Sequence, residues 1–434
     1  MKEIEQAIEE LNNLPKGYIS KKKIHGKTYS YLQFTEGKAL KSMYLREDEV
    51  PFIYAGLARR KELEKKMENF ENEGRDLREP SKRSRDLTGS LMAGDREAAR
   101  FEHGKMIMCN EELAPLFIVR TGNISAFLAS RAIDRGRTNS RILKKALGIK
   151  ENEDDMLSLY SFGATVTDDY WFRAKGSKLK YSDISFTNDC YSDIALKGEI
   201  LVFPKYPKHT PQLTLVGSYE KCWKRENGRW FLWKAGNEDE IFSELFCSRL
   251  AEALGIPTVS YEEAESGYIK TENFADRYNF EPMTAVAGED DSYDSVFDEL
   301  LGINEGFAKQ YLLLIWFDTL VNNVDRHNEN CGFLRDKTTG ELISLAPNFD
   351  NNLALISRTK MLNTDPETDG FMSFFVKFIR TNKKAAELFK TIPLPEVNEN
   401  TVQSVLDSIT IKRDEKMLMR YILKRTEYMK MLQE

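Results

Sequence analysis

The chain has 434 residues, 41% hydrophobic and 30% charged, with 25 Gly, 13 Pro and a formal net charge of -6. It is too apolar for a disordered chain, too poor in glycine and proline for a collagen-like one, and long enough for about two to four domains. Five scattered cysteines (109, 190, 222, 247 and 331) without a CxxC pair exclude a disulfide framework and a thiolate zinc site. The acidic start and a longest apolar run of only Tyr311 to Phe317 predict a cytoplasmic protein with no membrane partner.

In chain order, the first signal is electrostatic. Residues 14–46 carry seven Lys and one Arg against Glu36 alone, a net charge of +7. There GYISKKKIHGKTYSYLQF and GKALKSMYL alternate apolar residues with lysines around two Gly-Lys turns, which predicts a two- or three-stranded antiparallel sheet with a basic face. With Tyr18, Tyr29, Tyr31 and Tyr44 interleaved, that face can track a phosphate backbone, so residues 14–46 make nucleic acid a candidate partner. A solvated face whose lysines block edge pairing accounts for the pattern equally well. A helical pattern over about 48–72 completes a small unit at 1–72, and the polar stretch 73–87 reads as a linker. Residues 88–156 look mixed, mainly helical, with Arg131, Arg135, Arg137 and Arg141 projecting from an apolar helical pair, either toward DNA or against a neighbouring lobe. Acidic KENEDDM marks another boundary.

Chemistry concentrates further on. TLVGSYEKCW and RWFLWKA read as two strands joined by Glu226-Asn227-Gly228, the first bending at Gly217-Ser218, where free backbone N–H groups can approach phosphates. Lys234 ends the second strand among large apolar neighbours, and a buried ammonium needs an anionic partner. In the next helix Glu244 lies beside the apolar face, a candidate for that partner and for the lysine–glutamate pair that holds nucleotide phosphates. Residues 306–321 form a strongly apolar helix, followed by the polar loop Asp325 to Asn330 and a hairpin ending at Asp350. The hairpin brings Asn330 and Asp350 to one edge, an oxygen pair suited to Mg²⁺, with Asp325 in front, able to orient a hydroxyl. Each residue has an ordinary explanation alone; the combination is the parts list for phosphoryl transfer.

GSYEK, the WK of FLWKAG, SELFCSRLAEALG, NNVDRHNEN and NFDNN together resemble the HipA-like serine/threonine protein kinases, the kinase components of bacterial toxin–antitoxin systems, over roughly 165–434. Asp325, His327 and Asn330 match that family's D-x-H-x-x-N loop without a gap. The resemblance implies ATP and Mg²⁺ as cofactors, Asp325 as catalytic base, Asn330 and Asp350 as magnesium ligands, Lys234 on the ATP phosphates and His327 in a supporting position. It also implies that Gly217, Ser218, Tyr219, Glu220 and Lys221 cover the phosphates, departing from the family's commoner GAQEK at Ser218 and Tyr219. The backbone at Glu272 and Phe274 would meet adenine, and Thr214, or else Ser218, would be autophosphorylated. A Ser/Thr-bearing protein is the implied substrate, and an antitoxin-like chain a candidate partner.

The fold expected is α+β: a two-lobed, protein-kinase-like arrangement with a β-rich lobe at 157–271 and a helical lobe at 272–434, preceded by the small basic sheet-and-helix domain. A small-molecule kinase in the same fold, and a nucleic-acid-binding regulator with a vestigial kinase fold, are the competing readings.

Overall fold

The computed structural model describes residues 10–433 except 12, 25–26, 37–38, 76–85, 150–153, 199–207, 266 and 358–361. Most of the expected linker and the first residues of the acidic boundary therefore lie outside the described residues.

The amino-terminal unit is a three-stranded antiparallel sheet, β1 (Tyr18–Ile24), β2 (Lys27–Glu36) and β3 (Ala39–Leu45), followed by helix α1 (Val50–Arg75). Period-2 alternation puts Leu32 and Leu45 on one face, where both are buried. Arg60 ties α1 back to the chain before the sheet, donating to the carbonyls of Pro15 and Leu14.

Residues 88–156, read above as mainly helical, begin with three strands: β4 (Gly89–Ala93), β5 (Arg96–Glu102) and β6 (Lys105–Cys109). They join β7 (Tyr170–Ala174) in a sheet of order β6-β5-β4-β7, so one unit spans both sides of the predicted boundary. The inward positions of β5 are Ala98, Ala99 and Phe101, and alanines give little strand signal. Short helices at Leu116–Thr121, Ile124–Ala129 and Ser140–Ala146 cover this sheet and its neighbour.

The β-rich lobe is a second four-stranded sheet, order β10-β11-β9-β8, built from β8 (Lys221–Glu226), β9 (Arg229–Ala235), β10 (Tyr261–Glu263) and β11 (Tyr268–Glu272). The predicted turn closes the β8–β9 hairpin, with Asn227 and Gly228 at φ 50 and 83. Helix α2 (Glu238–Ala253) follows, started by a reciprocal cap in which Asn237 accepts from Glu240 N–H and Glu240 from Asn237 N–H. The helical lobe is organised around α3 (Glu305–Val321), buried along nearly its whole length. A third sheet, β12 (Tyr278–Pro282), β13 (Gly332–Asp336) and β14 (Leu342–Leu345), stands beside it. The carboxy-terminal helices Gly370–Thr381, Lys383–Thr391, Glu399–Ser408 and Glu415–Lys430 pack on α2 and α3 in one large apolar core. The architecture is therefore α+β and two-lobed, with the small basic domain ahead of it.

A buried arginine locks the middle unit to the helical lobe. Arg335 on β13 donates to the carbonyls of Ala114, Glu111 and Glu112 and pairs with Glu281 at 3.0 Å, while Glu281 accepts from Tyr170 and from Leu116 N–H. Burial raises the Glu281 carboxyl pKa against the pull of Arg335. All five cysteines are free, and no helix among the described residues is long and apolar enough to cross a membrane.

Candidate active site

Lys234 is 3% exposed and Glu244 0%, and their side chains meet at 2.6 Å; the same ammonium lies 2.6 Å from Asp350 Oδ1. Strand β9 and helix α2 supply the first two groups from adjacent elements, and the chain returns 116 residues later with the third. Burial pushes the Lys234 pKa down, but the Asp350 and Glu244 carboxylates outweigh it and hold the ammonium well above the ordinary lysine value. Asp350 responds in the opposite sense. Burial raises its pKa, Lys234 and Lys221 overcome that, and the carboxylate stays ionised. Glu244 spends its other oxygen on Asn351 N–H at 2.8 Å, clamping α2 to the residue after Asp350.

Asp350 sits at φ 61, a left-handed backbone for a non-glycine residue. Arg326 holds the surrounding chain. Its guanidinium pairs with both oxygens of Asp318 at 2.8 and 2.9 Å. It also donates to Asn330 O, Phe349 O, Asn348 Oδ1 and Asn351 Oδ1. One Nη1 thus touches the carbonyls of Asn330 and of the residue before Asp350, which brings the two ends of the β13–β14 hairpin together. The Asp318 carboxylate overcomes desolvation and raises the Arg326 pKa.

Asp325 is half-buried at the start of this loop. Asn330 Nδ2 donates to its carbonyl at 3.1 Å, which closes the loop as a ring of six residues. His327 Nδ1 accepts from Glu329 N–H at 3.3 Å. Among the described residues no three or more His, Cys, Asp or Glu side chains cluster as a metal site. A carboxylate and an amide oxygen are the ligand types of a hard cation that takes its other ligands from water and phosphate, so Asn330 and Asp350, whose backbones Arg326 draws together, are the residues that could hold Mg²⁺.

The loop opposite is shaped by Gly217 and Lys221. Gly217 has φ +101, so its backbone calls for glycine; a Cβ there would lie 2.6 Å from Lys221 Nζ and push that side chain aside. Burial lowers the Lys221 pKa to about 8, against the attraction of Asp350. Ser218 is exposed, and Tyr219 and Glu220 are half-buried. Both line a cavity of about 300 Å³ beside the loop, with Ala235, Gly236, Asn237 and Glu240, rather than over Lys234. Thr214 is buried, its hydroxyl donating to Pro211 O at 2.8 Å. Glu272, the last residue of β11, is exposed and pairs with Arg229 at 3.2 Å. Phe274 packs on Phe280 and stacks on Phe349, the neighbour of Asp350, with centroids 5.4 Å apart.

Arg137, read above as projecting, is 1% exposed. Its guanidinium donates to Leu215 O at 2.7 Å and to Gly217 O at 2.9 and 3.1 Å, stapling the glycine loop from the middle unit. Arg131 is also buried, donating to Asp168 and Gly163 O. No sequence signal marks Arg137, because its partners are backbone carbonyls about eighty residues away. Arg326 offers a weak one: an arginine inside a loop already singled out for its carboxylate and amides.

Residues 207–413 match the family model of the HipA-like C-terminal domain, and residues 1–55 match a domain of unknown function, DUF6788. No curated protein matches the chain. Solved structures similar to it include two kinase-fold chains. The proinflammatory kinase CtkA of Helicobacter pylori is 18% identical, with TM-score 0.38, covering 48% of this chain and 90% of that one. HipA of Shewanella oneidensis MR-1, in its toxin–antitoxin complex with HipB and operator DNA, is 14% identical, with TM-score 0.49, covering 80% of this chain and 98% of that one.

Proposed function

We propose that the chain, whose residues 207–413 match the family model of the HipA-like C-terminal domain, is an ATP- and Mg²⁺-dependent kinase that phosphorylates a serine or threonine of a protein substrate. The observation that carries this reading is the buried Lys234 ammonium held between Glu244 and Asp350, each at 2.6 Å. A strand lysine fixed by a helix glutamate beside an aspartate in the loop after the β13–β14 hairpin is the electrostatic frame that phosphoryl transfer needs.

In this reading Lys234 and Lys221 face the phosphate oxygens, and the backbone of Gly217–Glu220 closes over them. Asn330 and Asp350 would hold Mg²⁺, which when bound neutralises phosphate charge. Asp325 accepts a hydrogen bond from the acceptor hydroxyl and aligns it. The hydroxyl oxygen forms the new bond to the γ-phosphorus as the bond to the β-bridging oxygen breaks, and the proton passes to Asp325 and then to solvent. Arg326 and Glu244 position these groups without touching substrate. A buried Thr214 hydroxyl leaves Ser218, on the loop surface, as the more accessible self-modification candidate.

The test is transfer of label from γ-radiolabelled ATP to proteins of a bacterial lysate by the full chain. Labelled phosphoserine or phosphothreonine is expected with the wild type and none with Asp325→Ala, which should still bind nucleotide. Absence of labelled protein with the wild type, or full turnover by the variant, refutes the assignment.

A further inference from the structure

We infer that the open face of the amino-terminal sheet binds single-stranded nucleic acid, its tyrosines stacking on bases and the lysines of β1 meeting phosphates. The strand register is the basis. Tyr31 on β2 stands between Ser20 and Tyr44, Gln33 between Tyr18 and Ser42, and Tyr29 opposite Lys22. Residues directly opposite one another share a face, so Tyr18, Tyr29, Tyr31 and Tyr44 all project from the same side. The Tyr31 and Tyr44 centroids are 5.7 Å apart, those of Tyr29 and Tyr44 are 6.1 Å apart, and Lys22 Nζ lies 4.9 Å from the Tyr31 ring.

Folding does not account for this face. On its other side the sheet buries Leu32 and Leu45, with Met43 there 47% exposed, while on this side Tyr18 and Tyr44 stay 55% and 51% exposed. A solvated sheet face ordinarily carries small polar or charged residues, and four aromatic rings on one such face are a cost to solubility unless something covers them. Charge selects the cover. Residues 14–46 hold a net +7 in a chain whose total is -6; on the edge strand β1 Lys22 shares the tyrosine face, and Lys21 and Lys23, exposed on the opposite face of the same strand, flank a phosphate backbone that runs along that edge. The partner is therefore polyanionic with flat apolar surfaces, the description of unstacked bases on a phosphate backbone. In a duplex the base faces are occupied by their neighbours, so the tyrosine rings of this face would have nothing to stack on, whereas an unstacked strand offers a π-face at every base. The inference is independent of the kinase reading.

The test is fluorescence anisotropy of the full chain with fluorescein-labelled dT15, U15 and a mixed-sequence duplex of the same length, across a salt titration. Binding of dT15, U15 or both is expected, tighter than to the duplex. The logarithm of affinity should fall against that of salt with a slope of about -2, the value for about three phosphates neutralised. Tyr31→Ala and Tyr44→Ala should each weaken binding about 5-fold to 150-fold, and Tyr44→Phe, which keeps the ring, should bind like the wild type. An unchanged far-ultraviolet circular dichroism spectrum and melting curve establish that the variants fold. No binding at 0.1 M salt overturns the inference; so does duplex binding at least as tight as single-strand binding, or indifference to both alanine variants.

Discussion

Replacing Arg137 by Met should leave the stability of the whole chain nearly unchanged and yet loosen the glycine loop. Two opposing quantities decide this. The guanidinium makes short hydrogen bonds to the carbonyls of Leu215 and Gly217, and charge-assisted bonds of this kind contribute about 1.5 kcal/mol or more each, so together about 3 kcal/mol. Against that, burial pulls the Arg137 pKa from 12.5 to about 10, which at 1.36 kcal/mol per tenfold corresponds to a desolvation cost of about 3 kcal/mol for the charged form. A methionine of similar reach removes both terms. The global balance then changes by about 1 kcal/mol or less, whereas the loop loses its anchor outright. Opening of Leu215–Glu220 should become easier by about 3 kcal/mol, or about 150-fold in local exchange. Native-state hydrogen exchange read by mass spectrometry on peptides covering residues 213–222 measures it, with chemical denaturation as the global control. Arg137→Lys, which keeps a charge but loses the fork that spans two carbonyls, should fall between. Unchanged exchange in the loop, or a global loss of several kcal/mol with no local effect, would refute the reasoning.

Lys221 gives a pH dependence. Its pKa is lowered from 10.5 to about 8, so between those values the unfolded chain binds the proton more than the folded one, and stability rises with pH across that window. A bound triphosphate favours the charged lysine, so nucleotide affinity should fall as pH rises through about 8, with proton uptake on binding near that pH. Calorimetry in buffers of different ionisation enthalpy measures both, and Lys221→Arg should flatten the profile; a flat wild-type profile sinks the idea. Glu244→Gln removes the charge that meets Lys234 and weakens the acceptor of Asn351 N–H. It should destabilise the fold by about 1–3 kcal/mol and slow phosphate transfer about 10²-fold, and kcat/KM equal to the wild-type value would show that the pair does not position Lys234.

The parts of the site that were legible in the sequence are those fixed by short-range rules. The β8–β9 hairpin follows from Glu226-Asn227-Gly228 between two apolar runs, and it carries Lys234 to a strand end. The apolar face of α2 places Glu244 beside the core, and the β13–β14 hairpin returns Asp350 toward Asn330. The contacts that turn these positions into one structure obey no local rule. Arg326 joins α3, the loop and the strand end through Asp318, two carbonyls and two asparagines. Arg137 acts only on backbone carbonyls. A carbonyl carries no side-chain identity, so an arginine whose partners are carbonyls is indistinguishable in sequence from one that faces water. The same blindness explains β5, where inward alanines hide the alternation that large apolar residues would have displayed.

That asymmetry has a physical consequence for how the site is held. The groups proposed to meet substrate sit at the end of β9 (Lys234) or in loops that follow α3 and the β13–β14 hairpin (Asp325, Asn330, Asp350), elements that would form whether or not the site did. What fixes their mutual positions is a chain of buried polar contacts: Lys234 to Glu244, Glu244 to Asn351 N–H, Asn351 Oδ1 to Arg326, and Arg326 to Asp318. Each link leaves a buried charge or donor stranded if its partner is removed, so the links support one another and fail together. Substitutions at Glu244 and Asp318 should therefore be strongly non-additive: the double variant should be little worse than the poorer single one. A pair of residues acting independently on the two lobes would instead give losses that sum.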